Sequence, residues 1–170
     1  MDSDQDQHQP GPPLPPEAGE QVSIEAANWK DVGALRALEQ VCFPKDAWPL
    51  LDLVGVLTMP NVLRLKAVNS GQLVGFIACD IRQSERVAWI STVGVLPEYR
   101  GRGIGESLMR EVEARVHVSA IRLSVRVSNH TAIRLYQRLG YYQKNIWPRY
   151  YSDREDAVVM EKLIQAGMES

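Results

Sequence analysis

Apolar and polar residues change period several times along the chain, and each change marks an element. Val22 and Ile24 alternate with polar neighbours, the pattern of a short strand. After Asn28, a residue suited to capping a helix, Val32, Leu35, Leu38 and Cys42 recur on one face and predict a helix that Phe43-Pro44 ends. Trp48-Pro49 opens a second short helix, with proline tolerated at its first position, up to Met59-Pro60. Residues 62–68 and 73–80 read as strands joined by Asn69-Ser70-Gly71-Gln72, a hairpin signal. Residues 87–95 form a nearly continuous apolar run, expected at the centre of a sheet. Residues 103–116 predict a helix with Ile104, Leu108, Val112 and Val116 along one stripe, followed by strand alternation at Ile121, Leu123, Val125 and Val127. Ser128-Asn129 then caps a helix that runs to Leu139 and stops at Gly140. Residues 141–146 and 157–163 supply two last strands. The order β-α-α-β-β-β-α-β-α-β-β describes a mixed α/β sheet.

Composition changes this picture at one end. Residues 1–20 combine five acids, no Lys or Arg, and the run Pro10-Gly11-Pro12-Pro13-Leu14-Pro15-Pro16. Such a stretch cannot bury enough apolar surface to offset its ordering entropy, so residues 1–20 are expected to be a disordered acidic tail and residues 21–166 one domain. The net charge of −2 therefore hides a mildly basic remainder, with 19 basic against 16 acidic residues. That balance suits an anionic ligand but lacks the dense basic stripe of a nucleic-acid binder. No apolar run reaches bilayer-spanning length, and the start has no signal-peptide pattern, so neither membrane nor secretion is expected. Cys42 and Cys79 have no metal or redox spacing and read as reduced core residues of a cytoplasmic protein.

The sharpest chemical signal is the run from Val93 to Gly105, in which a strand passes through a glycine-rich turn into a helix. Glycines allow positive φ and close backbone approach, while free N–H groups of the first helical turn and the helix dipole favour an anion. Arg100 and Arg102 can add charge-assisted contacts. No Lys-Ser/Thr follows, and the dinucleotide Gly-x-Gly-x-x-Gly spacing is absent, so this is neither a Walker loop nor a Rossmann turn.

Arg100-x-x-Gly103-x-Gly105 after Val-x-Val-x-Pro resembles the acetyl-CoA motif of the GNAT superfamily of N-acetyltransferases. The stretch from Asn129 through Ala132, Leu135-Tyr136 and Gly140-Tyr141 is similar to that family's second conserved segment. The resemblance covers roughly residues 22–164. It implies a GNAT fold: a mostly antiparallel sheet of six to seven strands with about four helices, splayed by a bulge at the central strand. It further implies that Val93, Gly94, Val95, Arg100, Gly101, Arg102, Gly103, Ile104 and Gly105 bind the acetyl-CoA co-substrate, with Asn129 on the pantetheine arm. Tyr136 would protonate the departing thiolate, and no metal is implied.

Two further segments resemble the N-terminal protein acetyltransferases within that superfamily. These are the run from Cys42 to Pro49, and Arg149-Tyr150-Tyr151 leading to Glu155-Asp156-Ala157. By this resemblance Phe43, Pro44, Trp48, Tyr150 and Tyr151 would hold the N-terminus of a protein or peptide, possible partners including a ribosomal protein. Many relatives carry Glu or His where this chain has Ser124, and a serine cannot serve as a base near neutral pH. Ser124 is left as a holder of a relaying water. An α-amine of pKa about 8 is already partly neutral at pH 7, so a missing base costs less there than for a lysine of about 10.4. His117 and His130 read as surface residues. A small-molecule amine as acceptor, or an acyl-CoA-binding module with weak catalysis, remain as alternatives.

Overall fold

The computed structural model describes residues 21–164; the tail 1–20 and residues 165–166 of the expected domain lie outside them. Seven strands form one sheet: β1 Ser23–Ala26, β2 Val62–Asn69, β3 Gln72–Arg82, β4 Val87–Val95, β5 Ala120–Arg126, β6 Tyr142–Trp147 and β7 Ala157–Leu163. Among the described residues four α-helices accompany them: α1 Val32–Cys42, α2 Leu50–Thr58, α3 Ile104–Arg115 and α4 His130–Arg138. Sheet order is β1-β2-β3-β4-β5-β7-β6, antiparallel except for the parallel β4–β5 pair.

Each face of the sheet is covered. On one side Leu35 and Leu38 of α1 and Leu53 and Leu57 of α2 pack on Phe76 and Ala78 of β3. On the other, Ile104, Leu108, Met109 and Val112 of α3 meet Leu65, Ile77, Ile90 and Leu123, with Tyr136 and Leu139 joining from the α4 region. Gly94 of β4 lets α1 sit this close: a Cβ there would lie 3.2 Å from both Leu38 and Phe43.

Local chemistry explains the element ends. Asn28 and Asp31 form a capping box over the short turn before α1, an arrangement worth on the order of 1 kcal/mol. Pro49 is the N-cap of α2 rather than its first residue. Ser70 and Gly71 both take positive φ, 48° and 80°, as a two-residue hairpin turn requires.

The last two strands are not placed in chain order. β7 is buried along Ala157–Glu161 and takes the interior position beside β5, while the polar β6 takes the edge. Buried Glu161 of β7 ties three strands together through Arg122 of β5 and Lys144 of β6. Burial opposes its charge, but hydrogen bonds from Lys144, Arg122 and Tyr142 hold the carboxyl down to about 2.

Candidate active site

The parallel pair is where the sheet opens. β4 and β5 are matched only from Val87–Ala120 to Ile90–Leu123. Along β3, Ala78 then faces Thr92 while Cys79 faces Ile90, so Ser91 is the extra residue of a bulge. Beyond it β4 and β5 diverge while β5 stays paired with β7. The gap between them is a cleft of about 400 Å³.

One wall is the free edge of β4. The Leu96 amide donates to Val74 of β3, so by strand alternation the peptide groups of Val93 and Val95 face away from β3, towards the gap. The Val95 carbonyl there accepts from Arg100 Nε at 2.9 Å and from Cys42 Sγ at 3.4 Å. Gly94 differs from its neighbours: its missing side chain accommodates α1, as described above.

The turn beyond β4 has the geometry of an anion seat. Gly101 and Gly103 adopt φ of +76° and +79°, with open space where each Cβ would stand. Gly103 is the N-cap of α3, and its carbonyl accepts from Ser107. The preceding amides of Ile104, Gly105 and Glu106 therefore have no acceptor within the helix. Arg102 stacks its guanidinium 5.0 Å over Tyr99 and donates to Glu98 O, bracing the turn. A phosphate-bearing acyl carrier such as acetyl-CoA fits this combination of open glycines, helix N-terminus and unpaired strand edge.

The opposite wall comes from β5 and α4. Ser124, Asn129, Ala132 and Tyr136 line the cleft. Asn129 caps α4, its side-chain oxygen accepting from Ala132 N–H at 3.2 Å. Tyr136 is 6% exposed and packs edge-on to Tyr141. Burial, with a smaller contribution from Tyr151, pushes its phenol well above the ordinary range, so it stays protonated throughout neutral pH. Ser124 faces the Tyr151 phenol, which burial pushes up to about 12. His117 and His130 are both exposed and outside the cleft lining.

At the mouth, Phe43 and Trp48 of the α1–α2 loop stand with Tyr150 and Tyr151 of the β6–β7 loop; Pro44 is exposed and does not line the cleft. Trp147, stacked on Trp89 and 5.2 Å from Tyr150, extends the aromatic set. The sequence patterns did not mark Arg126, which joins these loops. From the end of β5 its guanidinium pairs with Asp46 of the first loop and with Asp153 and Glu155 of the second, and lies 4.0 Å over the Tyr151 ring. Arg126, followed by the Glu155 amide and Lys45, holds the Asp153 carboxyl at about 2.

Glu39 was missed as well. It is 1% exposed on the sheet-facing side of α1, and it reaches the cleft beside Thr92.

A sheet split at a parallel pair, with an anion-binding turn at one end and an aromatic mouth at the other, defines the acetyltransferase class of the GNAT type. The model of the Acetyltransferase (GNAT) family matches residues 33–141, and the chain belongs to that family. It is 32% identical over 135 residues to the N-alpha-acetyltransferase RimI of Mycobacterium tuberculosis, covering 78% of this chain and 85% of that one. The ribosomal-protein-S18-alanine N-acetyltransferase of Escherichia coli superposes with a TM-score of 0.80 at 25% identity, over 88% of this chain and 99% of that one. Naa50 of Arabidopsis thaliana, solved in complex with the bisubstrate analogue CoA-Ac-MVNAL, superposes with a TM-score of 0.72 at 27% identity, over 83% and 97%.

Proposed function

We propose that this N-acetyltransferase moves the acetyl group of acetyl-CoA to the α-amino group of a protein or peptide N-terminus. The observation that carries the acceptor is the mouth. Two loops distant in sequence present Trp48, Tyr150 and Tyr151 around an opening where Tyr150 is 52% exposed, suited to an extended chain rather than an enclosed small molecule. Asp46, which could otherwise hold a polyamine, is paired with Arg126. The names of the relatives, acting on α-amines or bound to a peptide conjugate of CoA, support the same reading.

In this reading the amides of Ile104, Gly105 and Glu106, with the Gly101–Gly103 backbone and the side chains of Arg100 and Arg102, receive the pyrophosphate of acetyl-CoA. The edge of β4 at Val93 and Val95 pairs with its pantetheine arm, joined by Asn129 from α4. Acetyl-CoA supplies an activated thioester carbonyl. A β4 amide facing the gap stabilises the oxygen as negative charge develops there. Tyr136, protonated and desolvated, delivers a proton to the leaving sulfur; desolvation weakens the phenol as an acid and makes a thiolate in the same cleft more basic, so donor and acceptor shift together. Both described cysteines are free thiols, which fits the cytoplasm as the place of action.

The test is product analysis. Incubation with acetyl-CoA and a panel of free-N-terminus peptides, N-blocked peptides bearing lysine, and small amines should release CoA mainly with the first group. Mass spectrometry should place the acetyl group on the α-nitrogen. Acetylation confined to lysine side chains or small amines would overturn the acceptor assignment.

A further inference from the structure

Ser124 leaves the reaction without a side chain on β5 that can take a proton. The structure brings a different group to the same cleft. Glu39 lies on the sheet-facing side of α1, 1% exposed, with Leu35 and Leu38 of the same helix in the core. Its Oε1 accepts a hydrogen bond from Thr92 Oγ1 at 2.9 Å, just past the β4 bulge. Its Oε2 is buried with no hydrogen-bond partner. A carboxyl in an otherwise apolar helix face, half satisfied, carries a desolvation cost that packing alone does not explain.

We propose that Glu39 is the general base of the acetyl transfer, taking the proton that the acceptor ammonium must lose before attack, directly or through one water. The proposal rests on the amine-acetylating function above. Thr92 fixes one carboxyl oxygen, and the other, itself buried, is left without a hydrogen-bond partner. Glu39, Thr92 and Val93 line one side of the cleft, with Ser124 and Tyr136 across it. Burial raises the Glu39 carboxyl above its ordinary range, against smaller opposing effects from Thr92 and the Trp48 amide. That shift moves it towards working pH, where a base is most effective. The ionisable groups around it are few. Cys42 stands on its own helix near Arg100, Asp46 and Arg126 on the cleft wall are paired with each other, and the phenols of Tyr136 and Tyr151 face it from α4 and the β6–β7 loop.

The proton count closes. Glu39 removes one proton from the ammonium, and the freed nitrogen forms the C–N bond to the acetyl carbon. As the C–S bond breaks, the sulfur takes the Tyr136 proton, and the surplus proton on the new amide nitrogen restores the phenol. Glu39 then releases its proton to solvent.

Glu39→Gln is the discriminating variant, because it keeps an oxygen for Thr92 while removing the base. Kinetics are measured on whichever amine the wild-type enzyme turns over, so failure of the peptide assignment leaves this test intact. The variant should lose on the order of 10²-fold in kcat with KM for acetyl-CoA little changed. Its melting temperature should not fall, since a buried charge has been removed. The wild-type pH profile should show a carboxyl limb on its acid side that the variant lacks. A Glu39→Gln enzyme with nearly wild-type kcat and an unchanged acid limb would overturn the proposal. So would a loss of rate that tracks a lowered melting temperature, which would make Glu39 a structural tie between α1 and β4.

Discussion

The two ends of the cleft are built by different means. The end proposed to hold the donor is one continuous stretch, from Val93 through Gly103 into α3, and it offers backbone: a strand edge, two glycines at positive φ and the N-terminus of a helix. The end proposed to take the acceptor is assembled from side chains far apart in the chain. Arg126 reaches Asp46 across 80 positions and Asp153 and Glu155 across 27 and 29. A backbone site needs a fixed local order of conformations and therefore leaves a motif. A side-chain site needs only that the sheet bring the pieces together.

The contrast predicts separable damage. Tyr136 stands where the two ends meet, so Tyr136→Phe should give the largest effect, a fall in kcat on the order of 10²-fold with KM for acetyl-CoA little changed. Steady-state kinetics at saturating acetyl-CoA read this directly, and full activity would remove Tyr136 as the acid.

Gly103→Asp should damage the donor end alone. Aspartate caps helices well and tolerates positive φ better than most residues, and open space surrounds the position, so the fold should survive. Its charge opposes the pyrophosphate, and calorimetry should show acetyl-CoA binding weakened by more than about tenfold, over 1.4 kcal/mol. An unchanged affinity would take the turn out of the site.

Arg126→Ala should damage the acceptor end alone. Three carboxylates would lose their shared cation, the two loops would part, and KM for the acceptor should rise by about five- to tenfold, about 1–1.4 kcal/mol, with acetyl-CoA affinity unchanged. The same tie is acid-labile. Asp153 titrates at about 2 in the folded protein against 3.8 ordinarily, so its contribution is complete above about pH 4 and is lost as pH falls towards 2. Loop order followed by tyrosine fluorescence should hold down to that window and fail within it. Ser124→Ala should be the mildest change, within about threefold in kcat, because a water can replace the hydroxyl.

Much of the fold was readable because each element carried its own period. The β4 run matches its predicted limits, Val87–Val95, and the hairpin turn falls at Ser70-Gly71. The placement of β7 inside β6 was not read, although the polar Tyr142–Asn145 stretch set against the apolar run of residues 157–160 already favours the first for the edge. Arg126 gave no sign, because its partners are defined only by the β5–β7 pairing and the approach of the α1–α2 loop. Glu39 did give one: it follows Leu35 by four positions, an acid on the stripe that Leu35, Leu38 and Cys42 define. A charged residue on an apolar face was the readable trace of a buried carboxyl.

Donor and acceptor ends are proposed to form one continuous cleft, meeting beside Tyr136. The most direct measurement is calorimetry with a conjugate that joins CoA through an acetyl bridge to the α-nitrogen of a short peptide, compared with CoA alone. If both ends are engaged at once, the linked peptide binds at high effective concentration and the conjugate should be tighter by about 10²-fold or more. A conjugate that binds no more tightly than CoA itself would show that the peptide half finds no site beside the donor, and that the cleft is not continuous.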